Sequence, residues 1–137
     1  MMGSEARPSA PASFLSFDFS PNRVGVATGN SVTRSATPLT TIKVDGDARF
    51  AAIAKLIAEW QPQALVVGVP RHPDGAPHDN TARAQRFARR LAGRFGLPVH
   101  EVDERYTTVE ARSLGAQDAD AAAAALILEQ FLREAIE

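Results

Sequence analysis

Apolar and polar residues alternate in the segment FLSFDF, residues 14–19, and this two-residue period is the pattern of a β-strand with one apolar face. Two further runs rich in strand-forming residues, 23–29 and 37–44, follow after short links that contain proline, glycine and asparagine. Short links between consecutive strands are typical of antiparallel pairing. This part of the chain therefore predicts a three-stranded antiparallel meander.

The period of the pattern changes after the third strand. Apolar residues then recur every three or four positions in several segments, which predicts amphipathic helices, and a continuous apolar run between two of them is typical of a buried parallel strand. The predicted elements are, in chain order, a helix over 47–62, a strand over 64–70, a helix over 81–95, a strand over 97–102, a short helix from about Thr107 and a last helix from about Asp118.

The resulting order, β-β-β-α-β-α-β-α-α, predicts an α/β fold. We expect a five-stranded mixed sheet flanked by helices, with β1-β2-β3 antiparallel and β4 and β5 parallel. The chain has 137 residues, of which 45% are hydrophobic, and this is enough for one core. The segment 1–13 is rich in alanine, serine and proline, so we predict a flexible tail there and a single domain over 14–137.

Asp18 is the residue that the strand pattern explains least. Aspartate is depleted in strands and is rarely buried unless it is paired or binds a metal ion. Asp103 and Glu104 follow the predicted fifth strand directly, and Asp118 and Asp120 open the last helix. If strands one and five lie close together, these carboxylates converge at one edge of the sheet, where a cation would relieve their repulsion. Such a site suits a hard divalent ion such as Mg²⁺, which promotes phosphodiester cleavage.

Most of these acidic residues also have a purely structural explanation. Asp118 is a natural N-cap, and the helix dipole favours Asp120 in a first helical turn. The run 103–105 is compatible with a charged turn that holds an ion pair. The segment 107–110 has the spacing of a capping box, which explains its glutamate. The first-strand aspartate is the hardest to explain in this way.

Composition excludes several kinds of site. The chain has no cysteine, which excludes disulfides and thiolate chemistry and is compatible with the cytoplasm. Its longest apolar run, 121–128, has 8 residues, whereas a membrane helix needs about 20. We therefore expect a cytoplasmic protein with no membrane span.

Basic residues are concentrated in one stretch, although the net charge of the chain is −1. Between Arg71 and Arg94, six arginines stand against two aspartates, a local net charge of +4. Several of them share one face of the helix predicted over 81–95. That face is either an ordinary solvated helix surface or a surface that contacts the phosphate backbone of nucleic acid.

Four ordered segments together resemble the YqgF/RuvX family of Holliday junction resolvase-like and pre-16S rRNA nucleases. They are FDFSPNRVGVATG, ALVVGVPRHPDGAPHDNTARAQRFARRLAGRFG, VDERYTTVEARS and DADAAAAALILEQFL. The resemblance covers the chain from Phe14 onward. It implies a ribonuclease H-like fold, one or two bound Mg²⁺ or Mn²⁺ ions, and hydrolysis of phosphodiester bonds in nucleic acid.

The same resemblance implies roles for individual residues. By motif, it assigns catalysis and metal binding to Asp18, Glu104 and Asp120. The residues that it implies for nucleic-acid binding are Arg71, Arg83, Arg86, Arg90 and Arg105.

The function that the resemblance favours is processing of the 5′ end of pre-16S rRNA in ribosome biogenesis. The expected partners are structured RNA or branched DNA and the small ribosomal subunit, bound by a monomer or a homodimer. One alternative is a Holliday junction resolvase-type DNA endonuclease. Another is a non-catalytic RNA- or ribosome-binding module, because Ser20, Asn22 and the short segment 112–119 depart from the family pattern. An actin-like ATPase is disfavoured, since that architecture normally needs two such domains.

Overall fold

The computed structural model describes residues 12–72, 74–77, 79–104 and 118–135. Within these ranges the predicted order of elements is confirmed. The elements are β1 (Ser13–Phe19), β2 (Val24–Asn30), β3 (Ala36–Ile42), α1 (Gly46–Trp60), β4 (Ala64–Pro70), α2 (Thr81–Phe95), β5 (Val99–Glu104) and α3 (Ala119–Ala135). The short helix predicted from Thr107 lies outside the described residues.

The five strands form one mixed sheet in the order β3-β2-β1-β4-β5. β1 pairs antiparallel with β2, β2 pairs antiparallel with β3, and β4 pairs parallel with both β1 and β5. The predicted mixed sheet is therefore confirmed. β1 occupies the centre, so its side chains alternate between two covered faces.

Each face of the sheet has its own helices and its own core. On one face, Leu15 and Phe17 of β1 pack in a core that includes Phe50 of α1 and Phe87 of α2. On the other face, a core that includes Phe14 is closed by apolar residues of α3. Hydrophobic burial thus holds helices against both sides of β1, which is why apolar residues of this strand are buried on both faces.

Several strand boundaries differ from the predicted ones by one or two residues. β5 starts and ends two residues later than 97–102, because Pro98 has no amide hydrogen for the ladder while pairing with β4 continues to the Pro70–Glu104 row. Asp103 and Glu104 are therefore the last residues of β5 and do not follow it. At the other end of the chain, β1 begins at Ser13, within the predicted tail.

The predicted end of α2 is confirmed. Gly96 lies in the left-handed region with φ of 67°, and its amide donates to the carbonyl of Ala92 at 3.0 Å. Glycine adopts this conformation without a Cβ penalty, so the helix stops there. In the described ranges, no helix is long and apolar enough to cross a membrane.

Candidate functional site

Asp18 lies on the α3 face of the sheet, near the end of β1. Ser16, two residues earlier on the same face, is fully buried, and its hydroxyl donates to the carbonyl of Ala124 in α3 at 2.7 Å. Asp18 itself is half-buried. Its neighbours in register are Gly25 of β2 and Gly68 of β4. Because neither neighbour has a side chain, the space beside Asp18 is left to the residues of α3.

Gly25 is the reason that α3 begins beside Asp18. A Cβ added at Gly25 would lie 1.9 Å from the carbonyl oxygen of Asp120 and 2.2 Å from its carbonyl carbon, far inside van der Waals contact. The first turn of α3 therefore rests directly on the backbone of β2, one strand away from Asp18. A glycine inside a strand often marks such a close approach, and this signal was available in the sequence but was not used.

The start of α3 is held by Asp118, whose capping role is confirmed. Its Oδ1 accepts a hydrogen bond from the amide of Ala121 at 3.2 Å, the bond that defines a helix N-cap. The same oxygen accepts a short hydrogen bond from the hydroxyl of Thr41 in β3. Asp118 therefore anchors the helix to the sheet.

Asp120 forms an ion pair with Arg23. Nε of Arg23 lies 2.6 Å from Oδ2 of Asp120, and the two side chains are 51% and 28% exposed. Arg23 stands between β1 and β2, so the pair ties the β1–β2 turn to the start of α3. Beside it lies an open depression of roughly 570 Å³ that Lys43 also lines. Sequence reasoning missed Arg23 as a partner of Asp120.

β5 brings the third predicted acidic residue to the same edge of the sheet. Val102 shares a row with Gly68 and therefore with Asp18, and Glu104 ends the strand two residues later, in register with Pro70. The side chain of Glu104 lies outside what the structure describes, as do Arg105 and Glu110.

Carboxylate oxygens are the ligands that Mg²⁺ and Mn²⁺ prefer, so Asp18 and Asp120 fit such an ion chemically. Among the described residues, no three histidine, cysteine, aspartate or glutamate side chains form a group that could hold a metal ion. The described part of the chain thus places the first turn of α3, which contains Asp120, beside the strand position of Asp18, and the strand position of Glu104 lies at the same edge of the sheet.

Of the predicted nucleic-acid-binding arginines, those of α2 lie elsewhere, and Arg105 lies outside the described residues. Arg71 follows β4 and forms an isolated β-bridge with Pro77. Three arginines of α2 line a cavity of roughly 220 Å³ on the face of the sheet opposite Asp18. We call this cavity the arginine pocket; its lining residues are Phe19, Gly46, Arg49, Phe50, Arg83, Arg86, Phe87 and Arg90. The sequence pattern did not identify Arg49 as part of this pocket. Burial lowers the pKa of its guanidinium, although the nearby charge of Asp45 acts in the opposite direction.

Comparison with known proteins gives the chain its relatives. It is 66% identical over 120 residues to a protein of Polaromonas sp. (strain JS666 / ATCC BAA-500) named "Putative pre-16S rRNA nuclease", covering 88% of this chain and 87% of that protein. It is 51% identical over 131 residues to a protein of the same name from Burkholderia pseudomallei (strain 668), covering 90% of each.

Among solved structures, RuvC of T. thermophilus in complex with a Holliday junction substrate superimposes with a TM-score of 0.56 at 17% identity. The match covers 91% of this chain and 97% of RuvC, and it confirms the predicted ribonuclease H-like fold. A model of the RuvX family, described as Holliday junction resolvase, matches residues 12–134. The predicted family is thereby confirmed, and the chain belongs to RuvX, a family of nucleases.

Proposed function

We propose that this protein is a divalent-metal-dependent nuclease that processes the 5′ end of pre-16S rRNA in the bacterial cytoplasm. Asp18, Glu104 and Asp120 would hold one or two Mg²⁺ or Mn²⁺ ions. The observation that carries the proposal is the seating of the first turn of α3 on Gly25, which sets Asp120 beside the strand position of Asp18.

The carboxylates explain why the site would cut phosphodiester bonds. A divalent ion bound by them supplies positive charge where negative charge develops on the phosphate in the transition state, and it favours ionisation of the attacking water. The role of Asp18, Glu104 and Asp120 is to hold that ion in place. Arg23 at the rim offers a guanidinium for a phosphate oxygen once Asp120 turns to the ion.

The proposed substrate rests on the relatives. Proteins that share half to two thirds of their residues with this chain over most of its length are named for pre-16S rRNA. A strand of RNA would approach the sheet edge at which β1 and β5 end, because the carboxylates stand there. The small ribosomal subunit is the expected partner of such a substrate.

A second candidate, resolution of four-way DNA junctions, is favoured by the description of the matching family model. Both candidates use the same chemistry, and only the substrate differs. A junction has two-fold symmetry, so this candidate further predicts a homodimer, whereas trimming of an RNA end suits a monomer.

One experiment tests the chemistry and separates the substrates. Labelled pre-16S RNA and a four-way DNA junction are incubated side by side with Mg²⁺, Mn²⁺ or EDTA, using the wild-type chain and Asp18→Asn. We expect metal-dependent cutting of the RNA that Asp18→Asn abolishes. Preferential cutting of the junction would favour the second candidate. Binding without any cutting would leave a non-catalytic RNA-binding module.

A further inference from the structure

We propose that the arginine pocket binds a backbone phosphate of the nucleic acid, on the sheet face opposite the carboxylates. The proposal extends the proposed function, because it gives the substrate a second point of attachment. Four guanidinium groups line the pocket, and none of its described lining residues carries a carboxylate. Like charges held together repel one another, so the pocket favours an anion that joins them.

None of the four arginines forms an ion pair within the described part of the chain, although the charge of Asp45 acts on Arg49. The ion pairs found there are Arg23 with Asp120 and Arg94 with Asp47, and both lie outside the pocket lining. Arg83 donates to the side-chain amide oxygen of Asn80 at 3.2 Å, which leaves its charge uncompensated.

Arg49 is a fixed part of the pocket wall, because it is 6% exposed and its side chain is held in one orientation by hydrogen bonds. Its Nε donates to the carbonyl of Val44 and its Nη2 to the carbonyl of Pro21, each at 3.0 Å. A guanidinium has five N–H donors, and within the described residues its Nη1 makes no hydrogen bond. Every side-chain nitrogen or oxygen that is buried in this part of the chain has a hydrogen-bond partner. Because Nη1 has none, it is not fully buried and remains accessible to a ligand in the pocket.

The aromatic walls favour a phosphate over a stacked base. Arg49 lies over the Phe19 ring at 5.7 Å, and Arg90 lies over the Phe50 ring at 5.2 Å. Phe87 is in contact with both rings, at centroid distances of 5.0 Å to Phe19 and 6.0 Å to Phe50. The two guanidinium groups and the Phe87 ring thus cover aromatic surface on which a base could otherwise stack. The volume of roughly 220 Å³ is also below the ~300–1,000 Å³ of pockets for drug-sized ligands.

The β1–β2 turn connects the arginine pocket to the carboxylates. On one side of the turn the carbonyl of Pro21 accepts from Arg49, and on the other side Arg23 pairs with Asp120. Asp18 and Phe19 are consecutive residues of β1, so one faces the carboxylate site and the other faces the pocket. A strand of nucleic acid that passes over this turn reaches both sites.

The test measures binding by the full chain carrying Asp18→Asn, so that it does not depend on cleavage. Arg86→Ala and Arg89→Ala each remove one exposed guanidinium from α2, but only Arg86 lines the pocket. With labelled pre-16S RNA as the probe, we expect Arg86→Ala to weaken binding about tenfold. We expect its log Kd against log salt slope to fall by about 0.7, since one phosphate contact is lost. Arg89→Ala should change affinity less than twofold.

Equal losses in the two variants would overturn the proposal, since they would indicate general electrostatic attraction. Inorganic pyrophosphate, tested alone, separates the sources of the phosphate. Pyrophosphate could stabilise the wild-type chain against unfolding but not the Arg86→Ala variant, while the two bind RNA equally well. That result would indicate a small-anion site and contradict backbone binding. If polyaspartate displaces RNA with the same efficiency as pyrophosphate, the result would indicate an acidic protein partner. If the wild-type chain cuts no substrate but Arg86→Ala still weakens RNA binding selectively, the nuclease proposal fails and this one stands.

Discussion

The two faces of the central strand differ in the charged groups that they carry. On the α3 face, Asp18 lies beside the start of a helix whose first turn contains Asp120. On the other face, four arginines surround a pocket floored by phenylalanines. Both regions lie at the same end of β1, and the single layer of the sheet separates them.

The comparison shows how one strand supports two different charged environments. Side chains alternate along a strand, so consecutive residues reach environments that are screened from each other by a hydrophobic layer. The arginines of the pocket are kept apart from these acidic residues, whereas Arg23, on the acidic side, does pair with Asp120. The sheet therefore separates the proposed cation site from the proposed anion site.

The largest effect is expected for the carboxylate face. Asp18→Asn removes a negative ligand, and the loss of several kcal/mol of transition-state stabilisation corresponds to a cleavage rate about 10³-fold lower. Initial rates on labelled RNA in Mg²⁺ measure it. Glu59→Gln, which neutralises an exposed residue of α1, is the control and should leave the rate unchanged. Cleavage that persists in Asp18→Asn would show that this face is not the catalytic one.

Gly25→Ala tests the close approach of α3 to the sheet. The new Cβ meets the peptide of Asp120, which is backbone and must shift. Overpacking of this kind costs about 3 kcal/mol of unfolding free energy, and Mn²⁺ affinity should fall with it. Urea unfolding measures the first effect. Gly93→Ala is the control, because nothing lies within 4 Å of its Cβ, and alanine in a helix should add about 0.5–1 kcal/mol. Equal stability of the two variants would contradict the packing.

Ser16→Ala should cost about 1 kcal/mol of unfolding free energy, because it removes a buried hydrogen bond to the Ala124 carbonyl. Denaturant unfolding is again the measurement. Ser35→Ala, at an exposed position between β2 and β3, should stay within about 0.5 kcal/mol of the wild type. A Ser16→Ala protein as stable as wild type would show that packing alone holds α3 on this face.

The smallest effect is expected for Arg23→Gln. Without the guanidinium of Arg23, the Asp120 carboxylate loses the ion-pair partner that competes with a metal ion. Mn²⁺ affinity should therefore rise about two- to fivefold. Stability should change by less than about 1 kcal/mol, since the ion pair is partly exposed. Electron paramagnetic resonance titration of free Mn²⁺ measures the affinity, with Arg34→Gln as the control. Weaker Mn²⁺ binding in Arg23→Gln would mean that Arg23 supports the ion instead of competing with it.

Much of this arrangement could be predicted from the pattern of single residues. The alternation around Asp18 identified a strand with an unexplained carboxylate, and Gly96 identified the end of α2. Asp118 was predicted as an N-cap, and it is one. Such features depend on a few neighbouring residues, because backbone propensity and capping act locally.

Other features could not be predicted in this way. Arg23 lies 97 residues from Asp120 along the chain, and no local pattern relates the two. The burial of Arg49 depends on carbonyls at Pro21 and Val44 that only the folded chain brings to it. The α2 arginines were predicted as one surface, but their position opposite the carboxylates follows from the face on which α2 packs.

The amino-acid sequence by itself determined the elements of the described ranges, their order and the family, because periodicity and motifs are properties of short segments. The tertiary structure alone decided which charges share a face. Strand order and helix packing place Asp120 against Gly25 and send Arg86 and Arg90 to the opposite side. That choice depends on long-range burial of apolar surface, which brings together residues that are far apart in the chain.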